Sequence, residues 1–562
     1  MKVRLGTRAS NLAMWQATAV YNHLKQQGIT SEIVPLTSKG DRSLGGQLST
    51  SVGQFIHAID DQLLAGKIDL AIHSAKDVPV VTDKRIINLA YLKRGCTDDL
   101  VIMRKTSGTP SLKTILQNRE PTSLFDIMKW FPKGSTFGTV AGRRQSFLLS
   151  QRPDIIPLAV RGHVETRINR LLEGRVDAII LAETGISRLN SVGALDNVMD
   201  KLSAFRIDSL EWPTAPGQGA VAIHCLKTRS EEFESLRAIL NHEPTEQDVQ
   251  TERHLLSQVG GGCLFPAGIS VSGNGVHIQV APKNWRAIFC QGATYSMFQY
   301  TGTIDNLQID LPNQPLEDVK LVETGPKMVS TLNSDRISRV LASHGIDMEN
   351  IPVVDLVPLI DQWPTDFLHT YESKRSWPYL ILTSPFAAKC AVKAAEANSD
   401  IGRIPWLAIG EGTARACFRL GVTVAVCAKA RNANELAEYI IGQFSSDTEF
   451  YIPKSELAAP NLEQKLRNAS FKVTSWTAYK NKPKSVESVN VNEHDVLILS
   501  SSSSALSWAK NNLMAPHEIL CMGENARKTI TSLDHFADSR VTVLSGPTSE
   551  SLINWWNKHR KF

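Results

Sequence analysis

A chain of 562 residues is too long for one hydrophobic core, and at about 100–200 residues per domain it implies roughly three to five domains. With 42% hydrophobic and 21% charged residues, and a net charge of +5 without a polybasic block, it has the composition of a soluble globular protein with no nucleic-acid tail. No apolar run approaches the roughly 20 residues that span a bilayer, and MKVRLGTRAS enters a strand-like stretch without the apolar core of a secretory signal.

The eight cysteines are scattered without CxxC spacing, which argues against a disulfide framework or a zinc site. The expected setting is the cytoplasm, with small acidic molecules rather than nucleic acid or membrane as partners. No metal is expected, and the chain is expected to be a monomer.

Arg8 and Ser10 follow the first predicted strand, in GTRAS. LLAGKIDLAIHS (residues 63–74) then has a near copy in LLEGRVDAIILA (residues 171–182). Each reads as a helix end, a Gly stop, a basic residue and an apolar strand opening after Asp. Two such units predict two similar α/β lobes around a cleft, as in bilobed anion-binding proteins. HSAKDVP places Lys76 and Asp77 at the end of the first repeated strand, where open α/β sheets carry ligand chemistry. A carboxylate there can stabilise a cation and move protons; the alternative is an Asp that caps a turn.

The polar stretch Lys105–Gly134 reads as an insertion in the second lobe. Arg143 and Arg144 in AGRRQS, and Arg161 and Arg167 in VRGHVETR, follow strand-like or Gly-turn segments, as Arg8 does. Several Arg forks around one cavity imply a polyanionic ligand; any one of them alone reads equally as a solvated surface charge. A helix over Glu246–Ser257 leads to VGGGCLFPAG, where three glycines precede Cys263. An accessible thiol in such a loop can be a covalent attachment point; the alternative is a buried structural cysteine.

GTRAS, LAMWQA, TSKGD, HSAKDVP, GRRQ, RGHVETR, APGQGAVAI and GGGC occur in the order found in hydroxymethylbilane synthases (porphobilinogen deaminases), which residues 1–310 resemble. The resemblance implies three domains and a dipyrromethane cofactor held by a thioether to Cys263. It implies that Asp77 stabilises the positive pyrrole formed as ammonia leaves porphobilinogen. By the same resemblance Lys76, Arg143, Arg144 and Asp41 hold the cofactor, and Arg8, Ser10, Thr139, Arg161 and Arg167 bind substrate carboxylates. The chain departs from the family at Val140 and Ala141 (two serines), Val52 (a lysine), Gly260 (an acidic residue) and His163 (an asparagine).

DLPNQPLED (residues 310–318) reads as a linker. Beyond it a second repeat appears: YLILTSPFAAKCAVKAA and WLAIGEGTARACFRLGVTV, then DVLILSSSSSALSWAKNN and ILCMGENARKTI. Short apolar strands alternating with helical patterns imply parallel sheets. Thr383, Ser384, Thr413, Ser500 and Ser501 sit at strand-to-helix turns that can offer N–H groups and hydroxyls to anions, or simply cap the helices.

This half resembles uroporphyrinogen III synthase, two α/β domains that need no cofactor and close hydroxymethylbilane into a ring with loss of water and inversion of the last pyrrole. By that resemblance Tyr479 helps the hydroxyl leave, and the turn hydroxyls bind substrate. An aromatic packing at a strand end is the alternative for Tyr479.

The expected architecture is α/β throughout: a bilobed pair resembling periplasmic binding proteins, a small α+β domain, then two parallel-sheet α/β domains. The expected boundaries are 1–92 with 189–213, 93–188, 214–311, 312–360 with 481–562, and 361–480. Two other functions fit parts of the pattern: a deaminase with a degenerate or unrelated C-terminal module, and a non-catalytic binder of acidic ligands. A binder needs neither Asp77 nor Cys263 in its motif.

Overall fold

The computed structural model describes residues 2–36, 54–260, 265–290, 294–311, 326–334, 336–364, 378–487, 489–546 and 548–559. Asp41, Val52 and Cys263 lie outside the described residues, as does most of the expected linker. Two compact units form, Met1–Trp285 with Tyr295–Gln314, and Arg286–Thr294 with Pro315–Phe562.

In the first unit, strand Val3–Arg8 runs into a helix over Asn11–Gln26, whose first turn is capped by Ser10 accepting from the Ala13 amide at 3.3 Å. The helix buries Ala13, Gln16, Ala17, Val20 and Leu24, a stripe at helical spacing laid on the sheet. That sheet has the spatial order Ser31–Leu36, Val3–Arg8, Leu70–Ser74, Val221–Leu226, Ile86–Tyr91. Val221–Leu226 runs antiparallel to both its neighbours. The second sheet is ordered Pro121–Thr122, Leu202–Ile207, Asp99–Arg104, Ala178–Ala182, Thr136–Gly138, Ile156–Leu158, with Asp99–Arg104 antiparallel to its neighbours.

The repeated segments occupy equivalent places. Each puts its Asp just before the strand: Asp69 receives two hydrogen bonds from the Arg4 side chain, and Asp177 receives the Thr136 amide and hydroxyl.

The chain crosses between the two lobes twice, and this moves the expected boundaries. Leu202–Ile207, expected in the first lobe, pairs with Asp99–Arg104 in the second; Val221–Leu226, expected in the third domain, lies inside the first sheet. Phe233, Leu236 and Leu240 also join the first lobe's core. Apolar periodicity marks these segments as strands and a helix but carries no record of which sheet they complete. The third domain is therefore helix Glu243–Gln258 packed on the antiparallel strands Ala267–Ser272, Gly275–Val280 and Phe298–Thr303. The stretch Lys105–Gly134 is built into the second lobe: Pro121–Thr122 edges its sheet, and Leu112, Ile115, Leu124 and Ile127 are buried.

The second unit holds one fully parallel sheet, ordered Met348–Asn350, Met328–Ser330, Val496–Leu499, Glu518–Cys521, Arg540–Val543. Its other sheet is ordered Val354–Pro358, Lys472–Pro483, Glu449–Ser455, Tyr379–Leu382, Trp406–Ala408, Val426–Cys427. Val354–Pro358, expected in the former, is the antiparallel edge of the latter, so this sheet is mixed rather than parallel. Among the described residues the seven cysteines are free, and no helix is long and apolar enough to cross a membrane.

Candidate functional site

Strand Leu70–Ser74 ends in a single 3-10 turn, Ala75–Asp77, held by the Ala75 amide on the Ala220 carbonyl at 3.1 Å. The turn puts exposed Asp77 and half-buried Lys76 at the carboxyl edge of the first sheet. Gly217 and Gly219 make the close approach possible. At Gly217 φ is +76°, and a Cβ would stand 3.0 Å from the Ala75 carbonyl carbon; at Gly219 φ is +89°, and a Cβ would meet the Gly95 oxygen at 2.7 Å.

Facing this edge, the second lobe supplies arginines from two turns. Arg143 and Arg144 open the helix Gly142–Gln151, and Arg161 and Arg167 flank the start of the helix Val164–Leu172. Arg167 feels the charges of Arg144, Asp77, Arg161 and Arg8, so all four lie within electrostatic reach of it. Burial, and after it the neighbouring Arg144, pushes Arg167 down to about 10 and Lys76 down to about 8. Among the described residues the site is thus a cluster of cations around one exposed carboxylate, Asp77.

Asp99 anchors the cluster from below. Its carboxylate accepts from Arg143 Nη2 at 2.6 Å, Arg144 Nη2 at 2.6 Å and Nε at 3.0 Å, Trp212 Nε1 at 3.0 Å and Gln218 Nε2 at 3.0 Å. Burial alone would raise its pKa, but the guanidiniums of Arg144 and Arg143 hold it far below the usual carboxylate range. Gln218 turns its carbonyl oxygen to Lys76 Nζ at 3.1 Å and so ties the lysine to the same hub.

A cofactor with several carboxylates fits this end of the cleft. Thr139 Oγ1 is buried without a hydrogen-bond partner, and the helix that starts at Gly142 has no side chain capping its N-terminus, because Ala141 carries no hydroxyl. Uncapped amides and an unspent hydroxyl are groups that could accept an anion, beside Arg143 and Arg144, whose guanidiniums are already paired with Asp99. Gly260, where the family has an acid, takes φ +73° just after the helix that leads to Cys263. That helix is tied to the cleft by Glu252, fully buried, which accepts from both Arg94 Nη atoms at 2.9 Å and from the Gly217 amide at 2.7 Å.

Ser10 lies beside Arg8 but is engaged as a helix cap. Asp99, Gln218 and Glu252 were not singled out in the sequence; the one signal was the glycine pair flanking Gln218 in APGQGA. An Asp at the start of a strand and a Glu on a helix give no sign of what they meet.

In the second unit, Tyr479 Oη lies 3.1 Å from Ser384 Oγ, and its ring meets Phe386 edge-on at 5.0 Å. Burial raises the Tyr479 pKa, so the phenol keeps its proton. Thr383 is adjacent in the same turn, and Ser384 also caps the following helix through the Ala387 amide. Thr413 is buried in the first turn of helix Glu411–Arg419. Ser501 forms a capping box with Ser504, and Ser500 bonds to Thr331 and Ser504, in the other sheet's lobe. Asn481 links the lobes, accepting from Ser455 at 3.0 Å and donating to Ser503 at 3.4 Å. These serines are engaged as caps and are not gathered around Tyr479; only Ser384 is in contact with it.

Residues 3–234 match the family model described as porphobilinogen deaminase, dipyromethane cofactor binding domain, and residues 335–554 match that of uroporphyrinogen-III synthase HemD. The chain is 35% identical over 269 residues to the porphobilinogen deaminase of Trichlorobacter lovleyi, covering 47% of this chain and 77% of that one. It is 32% identical over 280 residues to the probable porphobilinogen deaminase of Methanocella arvoryzae, covering 50% and 82%. The uroporphyrinogen-III synthetase structure from Helicobacter pylori 26695 aligns with a TM-score of 0.29 and 16% identity, covering 42% of this chain and all of that one. The chain belongs to the porphobilinogen deaminase family, which uses a dipyrromethane cofactor, and carries a uroporphyrinogen-III synthase as its second half.

Proposed function

We propose that the cleft around Asp77 builds hydroxymethylbilane from four porphobilinogens, and that the second half closes it to uroporphyrinogen III around Tyr479. The observation that carries the first step is, among the described residues, one exposed carboxylate, Asp77, among six cations, Arg8, Lys76, Arg143, Arg144, Arg161 and Arg167. When bound through Cys263, dipyrromethane supplies the nucleophilic pyrrole on which the chain grows. Arg143, Arg144 and Lys76 hold its carboxylates, and the Thr139 hydroxyl, expected among the substrate contacts, joins them. Arg8, Arg161 and Arg167 hold those of the incoming porphobilinogen, since every pyrrole adds two negative charges.

Asp77 stabilises the positive charge that develops as ammonia leaves, and takes up the proton released when the new bond forms. Two lobes joined by two crossing segments suit a cleft that accommodates a lengthening product. In the second half Tyr479, kept protonated by burial and oriented by Ser384, donates a proton to the departing hydroxyl.

Intact mass and product analysis of the full chain test this reading. The native protein is expected to carry two pyrrole units, absent from Cys263→Ser, and to convert porphobilinogen to the type III isomer. An unmodified native chain from cells that make porphobilinogen refutes the first assignment. Formation of only the type I isomer, the product of spontaneous closure, refutes the second.

A further inference from the structure

Within the first lobe, on the face of the sheet that packs against the helix Gln54–Leu64, a group of polar side chains is sealed from solvent and unused by the chemistry above. Asp60 from that helix, His73 from strand Leu70–Ser74 and His224 from strand Val221–Leu226 are 8%, 4% and 3% exposed. His73 Nε2 is 3.1 Å from Asp60 Oδ1, and the two imidazole centroids are 4.9 Å apart. One ligand-type atom from each of the three lies within 4.8 Å of the others. His224 Nδ1 is buried without a hydrogen-bond partner, and so are both amide atoms of Asn88. Asn88 stands opposite His224 in the strand register, and residues opposed across an antiparallel pair share a face.

Buried polar atoms are nearly always paired, and leaving one unpaired costs about 1–3 kcal/mol. Three of them beside a His–Asp pair therefore point to a missing guest. We infer that Asp60, His73 and His224 bind a divalent transition-metal ion, zinc being the natural occupant of two imidazoles and a carboxylate.

Asp60 contributes the anionic ligand. Arg253, the nearby cation, is turned to the carbonyls of Val78 and Pro79. Ligand atoms around tetrahedral zinc stand about 3.4 Å apart, so binding draws the imidazoles inward by about an ångström, within reach of side-chain rotation. The other group of potential donors, Cys96, Asp98 and Glu183, is already neutralised by Arg206, which lies 2.6 Å from Glu183 and 3.5 Å from Asp98. The inferred site uses no cysteine, so cysteine spacing gave no hint of it. It sits on the strand that ends at Lys76 and Asp77, and a bound ion would stiffen the base of the catalytic turn.

The test is titration of the full-length, cofactor-loaded protein, stripped of metals, with Co2+ as an optical probe and Zn2+ as competitor. One equivalent of Co2+ is expected, with visible ligand-field bands, no thiolate charge-transfer band, and displacement by Zn2+. His224→Gln and Asp60→Asn are each expected to weaken binding by at least about tenfold, since losing even an outer partner of a metal ligand costs that much. Zn2+ is expected to raise the melting temperature of the native protein but of neither variant. Absence of stoichiometric binding, a thiolate band in the native protein, or unchanged affinity in a folded variant would each overturn the inference and leave an ordered water as the guest.

Discussion

Asp99→Asn is expected to destabilise the second lobe by about 3–5 kcal/mol, the range observed when one partner of a buried ion pair is removed. Asp99 is 1% exposed, and its carboxylate faces the guanidiniums of both Arg143 and Arg144. At an effective dielectric near 20, unit charges about 4 Å apart attract by about 4 kcal/mol, and here one anion meets two cations. The desolvation of all three groups offsets much of that sum while the trio is intact. Asn keeps the shape but removes the charge, and its amide group presents donors to donors. Two guanidiniums then stay buried without compensation.

Urea unfolding followed by tryptophan fluorescence reads this directly, because Trp212 donates to the same carboxylate. With an m-value of about 2–3 kcal/mol/M, the transition reporting that lobe moves down by about 1–2 M. Adding Arg144→Met to Asp99→Asn removes one orphaned cation and is expected to restore part of the loss. A midpoint shift below about 0.3 M, or a double variant no more stable than the single one, refutes the reasoning. The contribution is complete above the ordinary Asp pKa of about 4 and erodes as pH falls below it, because the unfolded chain binds the proton first.

Four further outcomes are expected. Asp77→Ala lowers bilane formation by at least about 100-fold, the scale of losing one preorganised electrostatic group, while thermal melting of the exposed site's lobe is unchanged; substantial residual turnover contradicts its role. Lys76, pushed down to about 8, is charged below that pH and neutral above it. Its hold on the cofactor's carboxylates therefore weakens and the rate of bilane formation falls as pH passes upward through about 8, and Lys76→Met abolishes the inflection. Gly217→Ala forces a Cβ to 3.0 Å from the Ala75 backbone at a φ of +76°; strain of about 1–3 kcal/mol displaces the Lys76–Asp77 turn, so bilane synthesis falls with circular dichroism intact. Tyr479→Phe preserves the packing on Phe386 and loses the Ser384 contact. Cyclisation slows by about 100-fold if the phenol is the acid, and an unchanged rate assigns Tyr479 to packing.

The sequence by itself determined what is local or repeated. The Gly stops and Asp-led strands of the two copies at 63–74 and 171–182 marked equivalent α/β units, because helix termination and β-branched runs are set by neighbouring residues. HSAKDVP and the Arg-bearing turns marked the candidate site, since strand ends and loops are where ligand chemistry is expected. Only the tertiary structure decided which sheet Leu202–Ile207 and Val221–Leu226 complete, because strands buried on both faces read alike wherever they pair. Only the fold showed that Asp99 holds the arginines, that Glu252 joins Arg94 to Gly217, and that His224 faces His73. Those contacts join residues from 35 to 158 positions apart, and no pattern along the chain encodes which buried polar groups will meet.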